Sequence, residues 1–145
     1  MFVENLEETL NLGVKLSKEL HPNSIVLLQG PIGAGKTSFV QGIANGLSIS
    51  EEITSPTFAL SHHYNSGRIP LVHLDLYRLE NISSAKEVFF SEEEEAMQKQ
   101  AILVIEWPEL IEPVIDNFWK IKISYAKNYG TNYEIRDPKN LLTFS

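Results

Sequence analysis

Cysteine is absent from this chain of 145 residues. Without thiols the protein can form neither a disulfide nor a thiolate metal site, so no disulfide partner is expected. Long apolar runs are missing as well, since none approaches the ~20 residues that cross a bilayer, and no membrane contact is predicted. The first five residues, M-F-V-E-N, lack the pattern of a secretory signal. We therefore predict a cytoplasmic protein.

Positive charge is scarce relative to negative charge. Lysine and arginine total 12 against 19 aspartate and glutamate residues, which gives a formal net charge of −7. A chain with this balance is poorly suited to holding nucleic acid alone, because the nucleic-acid backbone is itself anionic. The apolar fraction of 43% is nevertheless typical of a globular protein. The length predicts a single domain over residues 1–145.

One stretch has a specific chemical signature. Residues 30–37 read G-P-I-G-A-G-K-T and fit the phosphate-binding loop G-x-x-x-x-G-K-T. Glycines let the backbone N–H groups turn toward phosphate oxygens, and a helix that starts there adds a favourable dipole. The ammonium group of Lys36 would reach the β- and γ-phosphates, and the Thr37 hydroxyl would bind Mg²⁺. The predicted nucleotide contacts in and beside the loop are Gly30, Pro31, Ile32, Gly33, Ala34, Gly35, Lys36, Thr37 and Ser38.

The surroundings of the loop have the order strand, loop, helix that this chemistry requires. A short apolar run at residues 24–29 precedes the loop, as expected for a buried strand. Apolar residues at helical spacing follow the loop over residues 38–46. The alternative is a glycine-rich turn without a ligand, and the flanking pattern favours the phosphate site.

A carboxylate ends a predicted strand downstream of the loop. Over residues 71–77 the side chains alternate, so that His73, Asp75 and Tyr77 share one face. A carboxylate in this place is the usual partner of Mg²⁺ or its water ligands. The alternative is a surface ion pair between Asp75 and Arg78. We predict that Asp75 belongs to the site.

A second carboxylate follows the almost purely apolar run 101–105, which is typical of a buried parallel strand. Ligands of open α/β sheets bind beyond the carboxyl ends of such strands, so Glu106 is predicted to bind metal or to orient water. The adjacent Trp107 either stacks near the site or packs in the core. The Ser/Thr-rich segment 54–57 is either a loop that senses the γ-phosphate or an ordinary turn.

The remaining pattern predicts further helices and strands around this core. Further helices are predicted over residues 5–20, 81–100 and 108–115. Further strands are predicted over 57–64, 69–76, 118–125 and 133–136. Within the acidic helix, capping pairs are predicted at Ser84 with Glu87 and at Ser91 with Glu94.

Four motifs occur in one order in this short chain. They are G-P-I-G-A-G-K-T at 30–37, S-P-T-F at 55–58, H-L-D-L-Y-R at 73–78 and I-E-W-P-E at 105–109. In this combination the chain resembles the TsaE (YjeE) family of small bacterial P-loop ATPases, which are needed to make threonylcarbamoyladenosine beside the tRNA anticodon. The resemblance implies an α/β single-domain P-loop NTPase fold: a central mixed sheet with a parallel core and antiparallel strands, flanked by helices.

The resemblance also implies cofactors, partners and residue roles. The family uses ATP and Mg²⁺ and acts with TsaD, which transfers the threonylcarbamoyl group, and with TsaB, so that tRNA is contacted only through the complex. The resemblance implies that hydrolysis of ATP resets that complex. Because the sequence offers no clear arginine finger, turnover is expected to be slow until a partner completes the site. The motif positions imply that Lys36 binds phosphate, that Thr37 and Glu106 bind Mg²⁺, and that Asp75 contacts the γ-phosphate side or the waters of the metal. They place Thr57 in the switch-like segment and Trp107 beside the site. The predicted catalytic residues are Lys36, Asp75 and Glu106.

Two other functions share the same loop. A small-molecule kinase would phosphorylate a metabolite, but such enzymes usually carry several arginines on a lid, and only Arg68 and Arg78 precede Arg136 in this chain. An ATP-dependent assembly module would need nucleotide binding without essential hydrolysis. We predict the ATPase and keep both alternatives open at this point.

Overall fold

The computed structural model describes residues 1–143, so residues 144 and 145 of the predicted domain lie outside the described part. The helices are α1 (Leu6–Ser17), α2 (Lys36–Gly46) and α3 (Ile82–Lys99). The strands are β1 (Phe2–Val3), β2 (Ile25–Gln29), β3 (Ser61–Tyr64), β4 (Leu71–Asp75), β5 (Ile102–Glu106), β6 (Trp119–Tyr125), β7 (Thr131–Arg136) and β8 (Leu142–Thr143). No helix among residues 1–143 combines the length and the apolar character that crossing a bilayer requires.

All eight strands join one mixed sheet in the order β1-β7-β6-β2-β5-β4-β3, with β8 added beside β7. The core is parallel, because β2 pairs in parallel with β5 and β6, and β5 pairs in parallel with β4. The outer pairs β3–β4, β6–β7 and β1–β7 are antiparallel. Every residue of β4 and β5 is buried, as expected for parallel strands that are covered on both faces. The predicted mixed α/β sheet is confirmed.

The two faces of the sheet pack against different helices. Along β2, Val26 and Leu28 join the core cluster that contains residues of α1 and α2, whereas Leu27 joins the cluster that contains residues of α3. The same alternation along β4 sends Val72 and Leu74 toward α3. His73 and Asp75 therefore lie on the α1–α2 side of the sheet, where α2 begins.

The helices predicted to begin at residues 5 and 81 begin one residue later, each after an asparagine N-cap, whereas both predicted capping pairs are wrong. The side chain of Asn5 caps α1 by accepting a hydrogen bond from the amide of Glu8 at 2.9 Å. Both predicted caps inside the acidic helix are wrong, because α3 is continuous and its N-cap is Asn81, which accepts from the amide of Ser84 at 2.8 Å. Ser91 thus lies in the interior of α3.

Two predicted elements have half of their predicted length or less in the structure. The helix predicted over residues 108–115 is only one 3₁₀ turn, Glu112–Val114. Pro113 lies within that turn, and its missing N–H cannot support an α-helical hydrogen bond. The strand predicted over residues 57–64 begins only at Ser61. Leu60, just before it, has a φ of 68°, which is incompatible with an extended strand.

Candidate nucleotide-binding site

The glycine-rich loop connects the end of β2 to the start of α2, in the predicted order. Gly33 and Gly35 have φ values of +81° and +94°, in the left-handed region that side chains disfavour. Gly35 is also the N-cap of α2, and no side chain among residues 1–143 caps this helix end. The first amides of α2 are therefore available to an anion, and the helix dipole favours one there.

Lys36 lies at the first position of α2 and is only 7% exposed. Its ammonium group donates to the carbonyl oxygens of Gly30 at 2.6 Å and Pro31 at 3.0 Å, so it folds back over the loop. Burial lowers the pKa of Lys36 from its ordinary value, and the nearby carboxylates of Glu106, Asp75 and Glu109 oppose that shift. Lys36 thus places a buried positive charge at the loop, and an anionic ligand would require such a charge.

The two predicted carboxylates end neighbouring parallel strands. Asp75 at the end of β4 and Glu106 at the end of β5 are register partners, and each is 3% exposed. Glu106 is also in register with Leu28, one residue before the end of β2. Both acids therefore lie at the sheet edge from which the phosphate loop starts.

Asp75 accepts a hydrogen bond from the switch-like segment 54–57. Its Oδ2 accepts from the Thr57 hydroxyl at 3.0 Å, and its Oδ1 accepts from the amide of Tyr77 at 2.9 Å. Thr57 is joined in turn to the Ser55 hydroxyl at 2.7 Å. The guanidinium of Arg78 lies over the ring of Phe58, 4.9 Å from its centroid, instead of at the carboxylate. The alternative of an exposed Asp75–Arg78 ion pair does not describe this buried aspartate.

Trp107 lies beside Lys36 and lines the same cavity. The ammonium of Lys36 is 4.1 Å from the centroid of its indole, within the range of a cation–π contact. The ring of Tyr77 packs against the indole of Trp107, with 4.8 Å between the ring centroids. Trp107 has a φ of 56°, an unfavourable conformation for a large side chain, and such strain often occurs at functional sites.

Most of the predicted site residues line one cavity of about 420 Å³. Its lining includes Ile32, Gly33, Gly35, Lys36, Thr37, Ser38, Thr57, Asp75, Glu106 and Trp107. Gly30 and Pro31 line a neighbouring cavity of about 730 Å³, which Trp107 shares, and Ala34 is buried. Ser55, from the predicted switch-like segment 54–57, also lines the smaller cavity, and so does Tyr77, which we did not predict as a site residue. The alternation that places Tyr77 on the face of Asp75 was the signal for it.

The oxygen atoms around this cavity suit Mg²⁺. The Thr37 hydroxyl and the carboxylates of Asp75 and Glu106 are hard oxygen donors of the kind that this ion prefers. Two adjacent buried carboxylates repel each other, so a cation between or beside them lowers the electrostatic cost. The residues present therefore fit a bound magnesium ion.

Comparison with known proteins supplies the family. Residues 3–134 match the family model described as "Threonylcarbamoyl adenosine biosynthesis protein TsaE", which is most of the chain. The chain belongs to the TsaE family. It is therefore associated with tRNA threonylcarbamoyladenosine biosynthesis, and the predicted family membership is confirmed.

Individual TsaE proteins and a solved structure agree with this assignment. The chain is 42% identical to the TsaE protein of Nostoc sp. over 93% of its own length and 83% of the relative. It is 37% identical to the TsaE protein of Bacillus subtilis over 74% of this chain and 65% of that one. The crystal structure of Bacillus subtilis YdiB superimposes with a TM-score of 0.74 at 28% identity, covering 92% of this chain and 80% of that chain.

Proposed function

We propose that this TsaE-family protein is a cytoplasmic ATPase that binds and hydrolyses Mg²⁺–ATP to support N6-threonylcarbamoylation of the adenosine next to the tRNA anticodon. It would act as an accessory ATPase of a complex of TsaD and TsaB. The observation that carries the proposal is the convergence of Lys36, Thr37, Asp75 and Glu106 on one cavity at the start of α2. The net charge of −7 favours tRNA contact through the partners instead of through this chain.

The residues of the site have separable tasks in this proposal. The uncapped amides of α2 bind phosphate oxygens. The Lys36 ammonium, which donates to the carbonyl oxygens of Gly30 and Pro31 without nucleotide, donates to phosphate oxygens when the nucleotide binds. When bound, Mg²⁺ would be held by Thr37, Glu106 and Asp75 and would neutralise charge on the phosphates. Either Asp75 or Glu106 orients the attacking water, since both carboxylates border the cavity.

The first test is phosphate release from ATP by the purified protein, alone and with TsaD–TsaB. Lys36→Ala should lower hydrolysis by about 100-fold or more, because it removes a preorganised positive charge. Lys86→Ala, on α3 and away from the cavity, is the matched control and should retain wild-type turnover. Equal turnover in the wild type and the Lys36 variant would contradict the proposal. Rapid wild-type turnover that the partners leave unchanged would contradict the accessory role.

The same assay separates the two rival functions. With γ-labelled ATP, label that appears in a metabolite and not in free phosphate would indicate a kinase. Glu106→Gln should still bind ATP but lose hydrolysis, since the amide keeps the shape of the carboxylate without its charge. If cells carrying that variant still show full tRNA modification, nucleotide binding alone is sufficient and the assembly module is favoured.

A further inference from the structure

A buried histidine contacts one of the two site carboxylates. His73 on β4 is fully buried, and its Nε2 lies 2.5 Å from Oε2 of Glu106. The strand register explains the contact, because His73 is paired with Val104, two residues before Glu106 on the same face of β5. The imidazole therefore lies two residues before the Asp75–Glu106 pair along the two strands, farther from the phosphate loop than that pair.

The hydrogen bonds of the two carboxylates differ in number and kind. Asp75 accepts from the hydroxyl of Thr57 and from the amide of Tyr77, whereas the one side-chain hydrogen bond to Glu106 within residues 1–143 is that from His73. The Nδ1 atom of His73 is buried and has no hydrogen-bond partner among these residues. Leaving such a nitrogen unpaired costs free energy, so a histidine here is poorly explained by packing alone.

We propose that His73 is the positioning residue of Glu106. The imidazole donates its Nε2 hydrogen to Oε2, which fixes the orientation of the carboxylate and leaves Oε1 for Mg²⁺ or the attacking water. Carboxylates that bind metals are commonly held by a hydrogen bond from a further residue, and loss of that residue costs about 10–100-fold in metal affinity or activity. The inference deepens the proposed function and rests on it, because it assumes that Glu106 serves Mg²⁺ or water.

The hydrogen bond itself can be tested without any nucleotide. In ¹H–¹⁵N spectra of the imidazole groups of the nucleotide-free protein, His73 should carry a proton on Nε2. Glu106→Gln should shift that Nε2 signal, whereas Glu92→Gln, beside His63 on the α3 side of the sheet, should not. A His73 ring with a bare Nε2 would overturn the proposal, since it could not donate to the carboxylate.

The positioning role predicts a difference between two substitutions of His73. His73→Leu fills the space without a donor, and His73→Gln keeps an N–H near the position of Nε2. For the leucine variant, the Mg²⁺ concentration that gives half-maximal binding of a fluorescent ATP analogue should rise about 10–100-fold, with a comparable loss in kcat. The glutamine variant should recover to within a few-fold of wild type. The KM for ATP at saturating Mg²⁺ should change little, because the phosphate loop is untouched.

His63→Leu is the matched control, because His63 also contacts a glutamate, Glu92 on α3, at 2.8 Å. It should leave both the Mg²⁺ dependence and kcat unchanged.

Equal Mg²⁺ dependence in folded His73→Leu and wild-type protein would overturn the role of His73. If the leucine variant does not fold, His73→Asn, whose amide is too short to reach Glu106, takes its place beside the glutamine variant. A wild-type protein that neither binds nor hydrolyses ATP would instead contradict the proposed function.

Discussion

At the scale of single residues, the Thr57 hydroxyl connects the loop before β3 to the site carboxylate Asp75. Its donor–acceptor distance is 3.0 Å and Asp75 is only 3% exposed, so this is a partly buried hydrogen bond to a carboxylate. Ser55, Thr57 and Asp75 thus form a short chain of hydrogen bonds along one wall of the cavity. This chain couples the conformation of a loop to the position of a carboxylate.

Replacing Thr57 by valine should lower kcat for ATP hydrolysis by about 10–100-fold, since a hydrogen bond to a charged group contributes about 1.5–3 kcal/mol. Thr57→Ser keeps the hydroxyl and should remain within about threefold of wild type. Steady-state phosphate release measures both variants, and circular dichroism checks that they fold. Equal activity of the valine and serine variants would show that the Thr57–Asp75 contact has no part in catalysis.

At the scale of elements, α1 and α2 approach each other through glycines. A Cβ added to Gly13 on α1 would lie 2.6 Å from the carbonyl oxygen of Phe39 and 2.8 Å from Cα of Gly42, both on α2. These are backbone atoms, so they cannot yield as the end of a flexible side chain would. Because α2 carries Lys36 and Thr37 at its start, this packing also positions the phosphate site.

Gly13→Ala should therefore destabilise the protein, although alanine favours a helix over glycine by about 1 kcal/mol. Overpacking of a tight contact costs roughly 1–3 kcal/mol or more, so the clash should exceed that gain. The expected decrease in Tm is about 3–10 °C, measured by thermal unfolding. Asn11→Ala, on the exposed side of α1, is the control and should leave Tm unchanged or slightly higher. An unchanged or raised Tm for the Gly13 variant would contradict the glycine-mediated packing.

At the scale of the whole molecule, ligand binding and folding should be coupled. The cavity draws its lining from the loop after β2, the segment before β3 and the ends of β4 and β5. These groups converge only when the central strands are paired in register. A ligand that binds this arrangement therefore stabilises the folded state and not the unfolded chain.

Mg²⁺–ATP at 100 times its Kd should stabilise the protein by about 2.7 kcal/mol. The corresponding increase in Tm is roughly 5–15 °C, measured by differential scanning calorimetry or dye-based unfolding. The shift should disappear in Lys36→Ala, and chelation of Mg²⁺ should reduce it in the wild type. A shift of equal size in the Lys36 variant would mean that the nucleotide binds elsewhere.

Local constraints made the centre of this protein predictable from its sequence alone. The glycines of residues 30–37, the apolar run before them and the helix after them each satisfy a short-range requirement, so the strand–loop–helix order could be predicted. Alternation along β4 was equally local and correctly separated the face of Asp75 from that of Leu74. Local signals failed where they competed, as at Ser91, whose capping pattern is overridden because α3 continues along the sheet.

Only the tertiary structure decided which side chains meet. Thr57 and Asp75 are 18 residues apart in the chain, and His73 and Glu106 are 33 apart. Their contacts depend on the order and register of the strands, which short-range patterns do not encode. The same holds for the approach of Gly13 to α2, which depends on the angle and distance at which two helices cross. The sequence alone therefore determined the phosphate loop and the fold class, while strand pairing and helix packing determined how the carboxylates are held around it.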